Sequence, residues 1–113
     1  SWKGDPNIAP YVASKHAIAG LIKSAAMDLG AHGIRVNGVG PGPIATKALL
    51  ERVTKRTDGD KEKFDKALAD MASLTALKRI ATIEEATNAA YFLASDASSG
   101  ITGQLIHVDC GLL

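Results

Sequence analysis

Apolar and polar positions change period several times along the chain, and each change marks an element. From Tyr11 to about Gly30 helix-compatible residues run without interruption. Pro10 suits the first turn of that helix, where its missing N–H has no intrahelical partner, and Gly30 and Gly33 end it. "IRVNGV", bracketed by Ile34, Val36 and Val39, reads as a short strand closed by "GPGPI", which neither a helix nor a central strand tolerates. The next stretch, Ala45 to about Leu77, is polar and holds two weakly amphipathic pieces, "KALLERV" and "KFDKALADM", separated by Gly59. Phe64, Leu68 and Met71 fall at helical spacing in the second. Thr82 followed by Glu85 is a capping-box pattern, and Ile83, Ala86, Ala90 and Leu93 repeat along one face of the helix it starts. "SSGITGQ" breaks that helix, and "LIHVD" reads as a final buried strand ending at Cys110 and Gly111.

Helix, strand, two helices, helix and strand give the rhythm of an α/β layered fold with a parallel sheet. Two strands do not make such a sheet, so most of it is expected in chain beyond these residues. There is no internal repeat or low-complexity tract.

Composition narrows the function classes. The chain has 113 residues, 46% hydrophobic, with 13 basic and 12 acidic side chains for a formal net charge of +1. That balance offers no electrostatic footprint for nucleic acid or an anionic membrane. A single cysteine, Cys110, excludes an internal disulfide and suits a reducing compartment. No apolar run reaches membrane-spanning length, and the first residues lack the pattern of a signal peptide, so the expected location is the cytoplasm.

Candidate chemistry begins with "APYVASKHA". Residues four apart on a helix share a face, so Tyr11 and Lys15 can point at one small site. A free phenol has a pKa of about 10, and a neighbouring cation favours its ionised form, which makes the phenol a usable general acid or base. On spacing alone, a surface pair packed along its stems is the commoner arrangement. In "PGPIAT", Pro41 and Pro43 stiffen the backbone and Gly42 permits close approach, so N–H groups and the Thr46 hydroxyl could meet a planar amide at the carboxyl end of a strand, although a plain turn fits the loop equally well by itself. His16, His32 and His107 lack metal-ligand spacing, and no metal site is expected. Cys110 reads as a buried small hydrophobe, and Asp5, Lys78 and Arg79 as solvated charges.

These segments resemble the short-chain dehydrogenase/reductase family over nearly the whole chain. "YVASKHAIAGL" is similar to its catalytic helix, "IRVNGVGPGPIATKAL" to its following strand and cofactor loop, and "ITGQLIHVDCG" to its last strand, where Cys110 replaces a common glycine. The resemblance implies the carboxyl-terminal part of a doubly wound, Rossmann-like parallel-sheet domain. Residues 1–113 would form part of a single domain whose amino-terminal dinucleotide-binding half, with its glycine-rich turn, is absent. It further implies an oxidoreductase passing hydride between NAD or NADP and an alcohol or carbonyl substrate. Tyr11 would be the acid/base, and Lys15 would support its ionisation and bind the nicotinamide ribose. Ile44 and Thr46 would hold the carboxamide, and Pro41 and Gly42 would shape the wall. Ser1, opening "SWKG", would bind the substrate oxygen; on the motif alone an arbitrary terminus stays open. Asp5 could face substrate.

Residues 45–77 would form a substrate lid through Leu49, Leu50, Phe64 and Met71. These residues alone are expected to be inactive. A second reading is a noncatalytic self-association module, built on the small-residue stripe Ala13, Ala17, Gly20 and Ser24, and by resemblance the same helix pairs subunits in a homo-oligomer.

Overall fold

The computed structural model describes residues 8–112. Six elements follow in order: α1 (Ala9–Gly30), β1 (Gly38–Pro41), α2 (Lys47–Arg56), α3 (Lys61–Ser73), α4 (Ile83–Ala94) and β2 (Leu105–Val108), with a short 3₁₀ turn at Asp96–Ser98. β1 and β2 pair in parallel. Gly38 N–H donates to Gln104 O and Gly42 N–H to Val108 O, an advance of four residues on each strand in the same sense. The fold is α/β, as the pattern predicts. None of the described helices is long and apolar enough to cross a membrane.

The chain divides into two compact units. The first takes the described residues up to Gly38 together with Phe92–Ile106. α1 opens with Pro10 in its first turn and no side-chain cap. It ends where Leu29 O accepts from both His32 and Ile34 N–H, and Gly33 turns the chain with φ +71. The helix buries Ile22 and Ala26. A Cβ on Gly38 would lie 2.5 Å from Ile22 Cδ1 and 3.1 Å from Leu105 Cδ1, so any larger residue there would have to push the ends of these two side chains aside.

The strand expected from Ile34 to Val39 lies further along, at Gly38–Pro41. Residues 35–37 are held by one backbone bond, from Gly103 N–H to Val36 O at 2.7 Å, and otherwise by side chains. Val36 N–H donates to Thr102 Oγ1, and Asn37 donates from Nδ2 to Ile101 O while its Oδ1 accepts from Gln104 N–H. Arg35 Nη1 donates to Ser98 Oγ and Ile101 O, and Nη2 to Leu93 O and Ser95 O, at 2.9–3.2 Å. One guanidinium thus satisfies carbonyls freed at the end of α4. Pro41 closes β1 without penalty because the flanking residue, Gly42, supplies the bonding N–H.

The second unit is Val39–Tyr91 with His107 onward. Thr46 caps α2, its Oγ1 accepting from Leu49 N–H at 3.2 Å, and Asp60 caps α3 in the same way from Lys63 N–H. α2 and α3 are the two weakly amphipathic pieces read from the sequence. Asp58 (φ +52) and Gly59 (φ +74) reverse the chain between them, and the two helices pack together with Val53 2% exposed. Ile44 pairs with Ala81 as an isolated parallel bridge, and Thr75 with Leu112 as an antiparallel one. The predicted capping box forms: Thr82 Oγ1 accepts from Glu85 N–H, and Glu85 Oε2 accepts from Thr82 N–H.

Candidate active site

Tyr11 and Lys15 lie one turn apart on α1, both exposed, with the Lys15 Nζ 5.2 Å from the centroid of the Tyr11 ring. The ammonium stands over the ring's negative face, a cation–π placement that keeps the charge beside the phenol on a solvent-open side of the helix. Tyr11 is 59% exposed, so its hydroxyl can reach a bound molecule without repacking. Within the same turn Ser14 Oγ donates to Tyr11 O, and His16 Nδ1 lies 2.9 Å from Val12 O. Ser1 and Asp5 lie outside the described residues.

The loop after β1 belongs to the second unit. Pro41 is exposed, while Gly42, Pro43, Ile44 and Thr46 are half-buried. The bare Cα of Gly42 is explained by the chain itself: a Cβ there would stand 2.5 Å from Asp109 Cβ and 2.9 Å from Asp109 Cα. Ile44 O accepts from Thr46 N–H at 2.6 Å. Thr46 Oγ1 accepts from the helix, which leaves its O–H proton available to donate outward. Leu49, Leu50, Phe64 and Met71 are all half-buried. An open groove of about 450 Å³ is lined by Lys47, Leu50, Glu51, Thr54 and Lys55.

Two of the charges expected to be solvated are engaged. Arg79 donates to both carboxylate oxygens of Glu85, at 3.0 and 2.7 Å, and Lys78 Nζ donates to Ser73 O at 2.8 Å. The Arg79 hydrogen bond, followed by the one from Thr82 N–H, holds the Glu85 carboxyl down to about 2. The capping box was legible, but the arginine that completes it lies three residues earlier, outside the pattern. Cys110 is half-buried, not buried, and takes φ +56. That left-handed backbone is why a glycine is at home there. Asp109, which no motif singled out, accepts from Gly111 N–H through Oδ1 at 2.9 Å. The signal for it is an Asx turn written as Asp-Cys-Gly.

A family model described as enoyl-(acyl carrier protein) reductase matches residues 1–113. The solved structure of a short chain dehydrogenase family protein from Francisella tularensis superposes with a TM-score of 0.88 at 37% identity, over 98% of this chain and 46% of that one. The chain belongs to the short-chain dehydrogenase/reductase family. Curated relatives in that family's range include (+)-cis,trans-nepetalactol synthase of Nepeta racemosa, 47% identical over 91% of this chain and 36% of the relative. Another is the NADH enoyl-[acyl-carrier-protein] reductase of Haemophilus influenzae, 41% identical over 94% and 37%. The chain thus spans little more than a third of the length of these short-chain dehydrogenase/reductase relatives. The Rossmann-like fold class follows from the same match. One relative is a synthase and another a reductase, so family membership by itself does not choose the reaction, which has to be argued from the residues.

Proposed function

We propose that residues 1–113 are the carboxyl-terminal part of a longer NAD(P)-dependent oxidoreductase acting on an alcohol or carbonyl substrate, with Tyr11 as its acid/base. The observation that carries the reading is Lys15 Nζ held 5.2 Å over the exposed Tyr11 ring. A phenol with an ammonium group near its ring, open to solvent on one helix face, can hand a proton to a substrate oxygen or take one from it. By the family resemblance Lys15 would bind the nicotinamide ribose, and Ile44 through its backbone and Thr46 through its side chain would hold the carboxamide, with Pro41 and Gly42 shaping the wall. When bound, the nicotinamide supplies the hydride acceptor or donor. Ser1 would complete the set as a substrate-oxygen ligand. Leu49, Leu50, Phe64 and Met71 would give the α2–α3 lobe an apolar substrate face. A reducing, cytoplasmic setting would suit the single Cys110 of these residues.

In a full-length protein carrying this sequence, Tyr11→Phe should lower kcat/KM by about 10²–10⁴-fold while the thermal midpoint holds, since the hydroxyl is the acid/base and the ring is surface-exposed. Undiminished turnover would remove Tyr11 from this role.

A second reading has its own observation. Ala13, Ala17, Gly20 and Ser24 are all exposed along α1, and a Cβ on Gly20 would meet nothing within 4 Å. Such a stripe admits close approach by the same helix of a second copy, as a homo-oligomer or a self-association module without catalysis would require. Gly20→Leu should then lower the association state in sedimentation equilibrium, and an unchanged state refutes the helix contact. Calorimetric titration of a full-length protein carrying this sequence with NADH and NADPH separates the two readings, because only the enzyme requires cofactor binding.

A further inference from the structure

Residues 109–112 follow β2 and touch two parts of the second unit at once. On one side, Asp109 packs its Cα and Cβ against the bare Cα of Gly42, whose N–H donates to Val108 O at 3.1 Å. On the other, Gly111 O accepts from Ala76 N–H at 2.9 Å and Cys110 O from Leu77 N–H at 3.0 Å, with Thr75 bridged to Leu112. The Asp109 carboxylate joins the sides by accepting from Gly111 N–H, which holds the left-handed pair Cys110 and Gly111 (φ +56 and +80) in place. Clearance is minimal: a Cβ on Gly111 would lie 2.6 Å from Ala76 Cβ. Thr75 anchors the receiving side. It is 1% exposed, and its Oγ1 lies 2.9 Å from Ala72 O, 2.8 Å from Arg79 O and 3.2 Å from Arg79 N.

We propose that residues 109–112 form a strap that ties the far stem of the α2–α3 lobe to the 41–46 loop, with Asp109 as its positioning residue. The base of the lobe is already joined by the Ile44–Ala81 bridge, which pairs a residue before α2 with one beyond residue 77. The strap adds a second tie at residues 75–77, so the far stem is held at two levels and the lobe is kept from pivoting about the bridge. Its expected effect on substrate binding rests on the reading of the lobe as a substrate lid; its mechanical effect does not.

The test is hydrogen exchange and steady-state kinetics on a full-length protein carrying this sequence, as Asp109→Ala and Asp109→Asn. The alanine keeps the Cβ against Gly42 and loses the acceptor; the asparagine keeps an acceptor oxygen. In Asp109→Ala, exchange at the Ala76 and Leu77 amides should quicken by about tenfold or more. Substrate KM should rise by about fivefold with kcat and cofactor KM within about twofold, and Asp109→Asn should behave as the unmodified protein in every reading. Unchanged exchange at residues 76 and 77, or an asparagine variant as impaired as the alanine, overturns the strap. Faster exchange with unchanged substrate KM upholds the strap and refutes the lid. Should Asp109→Ala fail to fold, Gly111→Ala displaces the strap from the other side through its new Cβ, and unchanged exchange there overturns the proposal equally.

Discussion

Cys110 carries a side chain at φ +56, between Asp109 and the glycine at φ +80. A β-carbon in the left-handed region crowds the following carbonyl at a cost of about 1 kcal/mol or more. Cys110→Gly should therefore stabilise the protein by about 1 kcal/mol, less the added freedom of glycine in the unfolded chain, and raise the thermal midpoint by a few degrees. A lower midpoint in calorimetry would show that the thiol's packing outweighs the backbone strain. The position also marks what one chain's sequence conveys about residues. Tyr11 and Lys15 were legible as a pair because helical geometry brings residues four apart together wherever the helix goes. The sign of φ at Cys110, the bidentate hold of Arg79 on Glu85 and the wedge of Asp109 against Gly42 depend on backbone paths that no local pattern encodes.

At the start of α4, Thr82 and Glu85 satisfy one another's backbone N–H groups and Arg79 grips the same carboxylate. Thr82→Ala should cost about 1 kcal/mol, read from denaturant unfolding. The acid response has a fixed direction. The Glu85 carboxyl is held at about 2 in the folded chain against an ordinary 4.5, so its stabilising contribution is complete above 4.5 and is lost as pH falls toward 2. Glu85→Gln should flatten the stability–pH profile in that window alone; an unaltered acid limb would assign it to other carboxylates. Helices were the more legible elements, because the cap at Thr82 and the breaks at Gly30 and Gly59 are local signals. β1 was displaced because Ile34 and Val36 have strand-like composition, yet the turn at residues 101–104 meets that stretch through one backbone bond and the side chains of Thr102 and Asn37, and the ladder starts only at Gly38, beside Ile22 and Leu105.

The described residues bury few large apolar side chains while Leu21, Met27, Leu74, Leu77 and Tyr91 are each more than three-fifths exposed. Expressed alone, residues 1–113 should self-associate or precipitate, and sedimentation velocity at rising concentration should show mass above the monomer. A strictly monomeric species across that range would mean these side chains find cover within the chain. The α/β class was legible from element order, but a two-stranded parallel sheet and the division into two units depend on pairings between residues far apart in sequence. Arg35 carries that point into time. Its acceptors lie 58 to 66 residues downstream. At about 5–20 residues per second, a ribosome would deliver them roughly 3–13 s after the arginine itself. During synthesis the guanidinium and the carbonyls it will cap are thus strangers for seconds. For that interval the nascent chain depends on whatever attends it outside the exit tunnel.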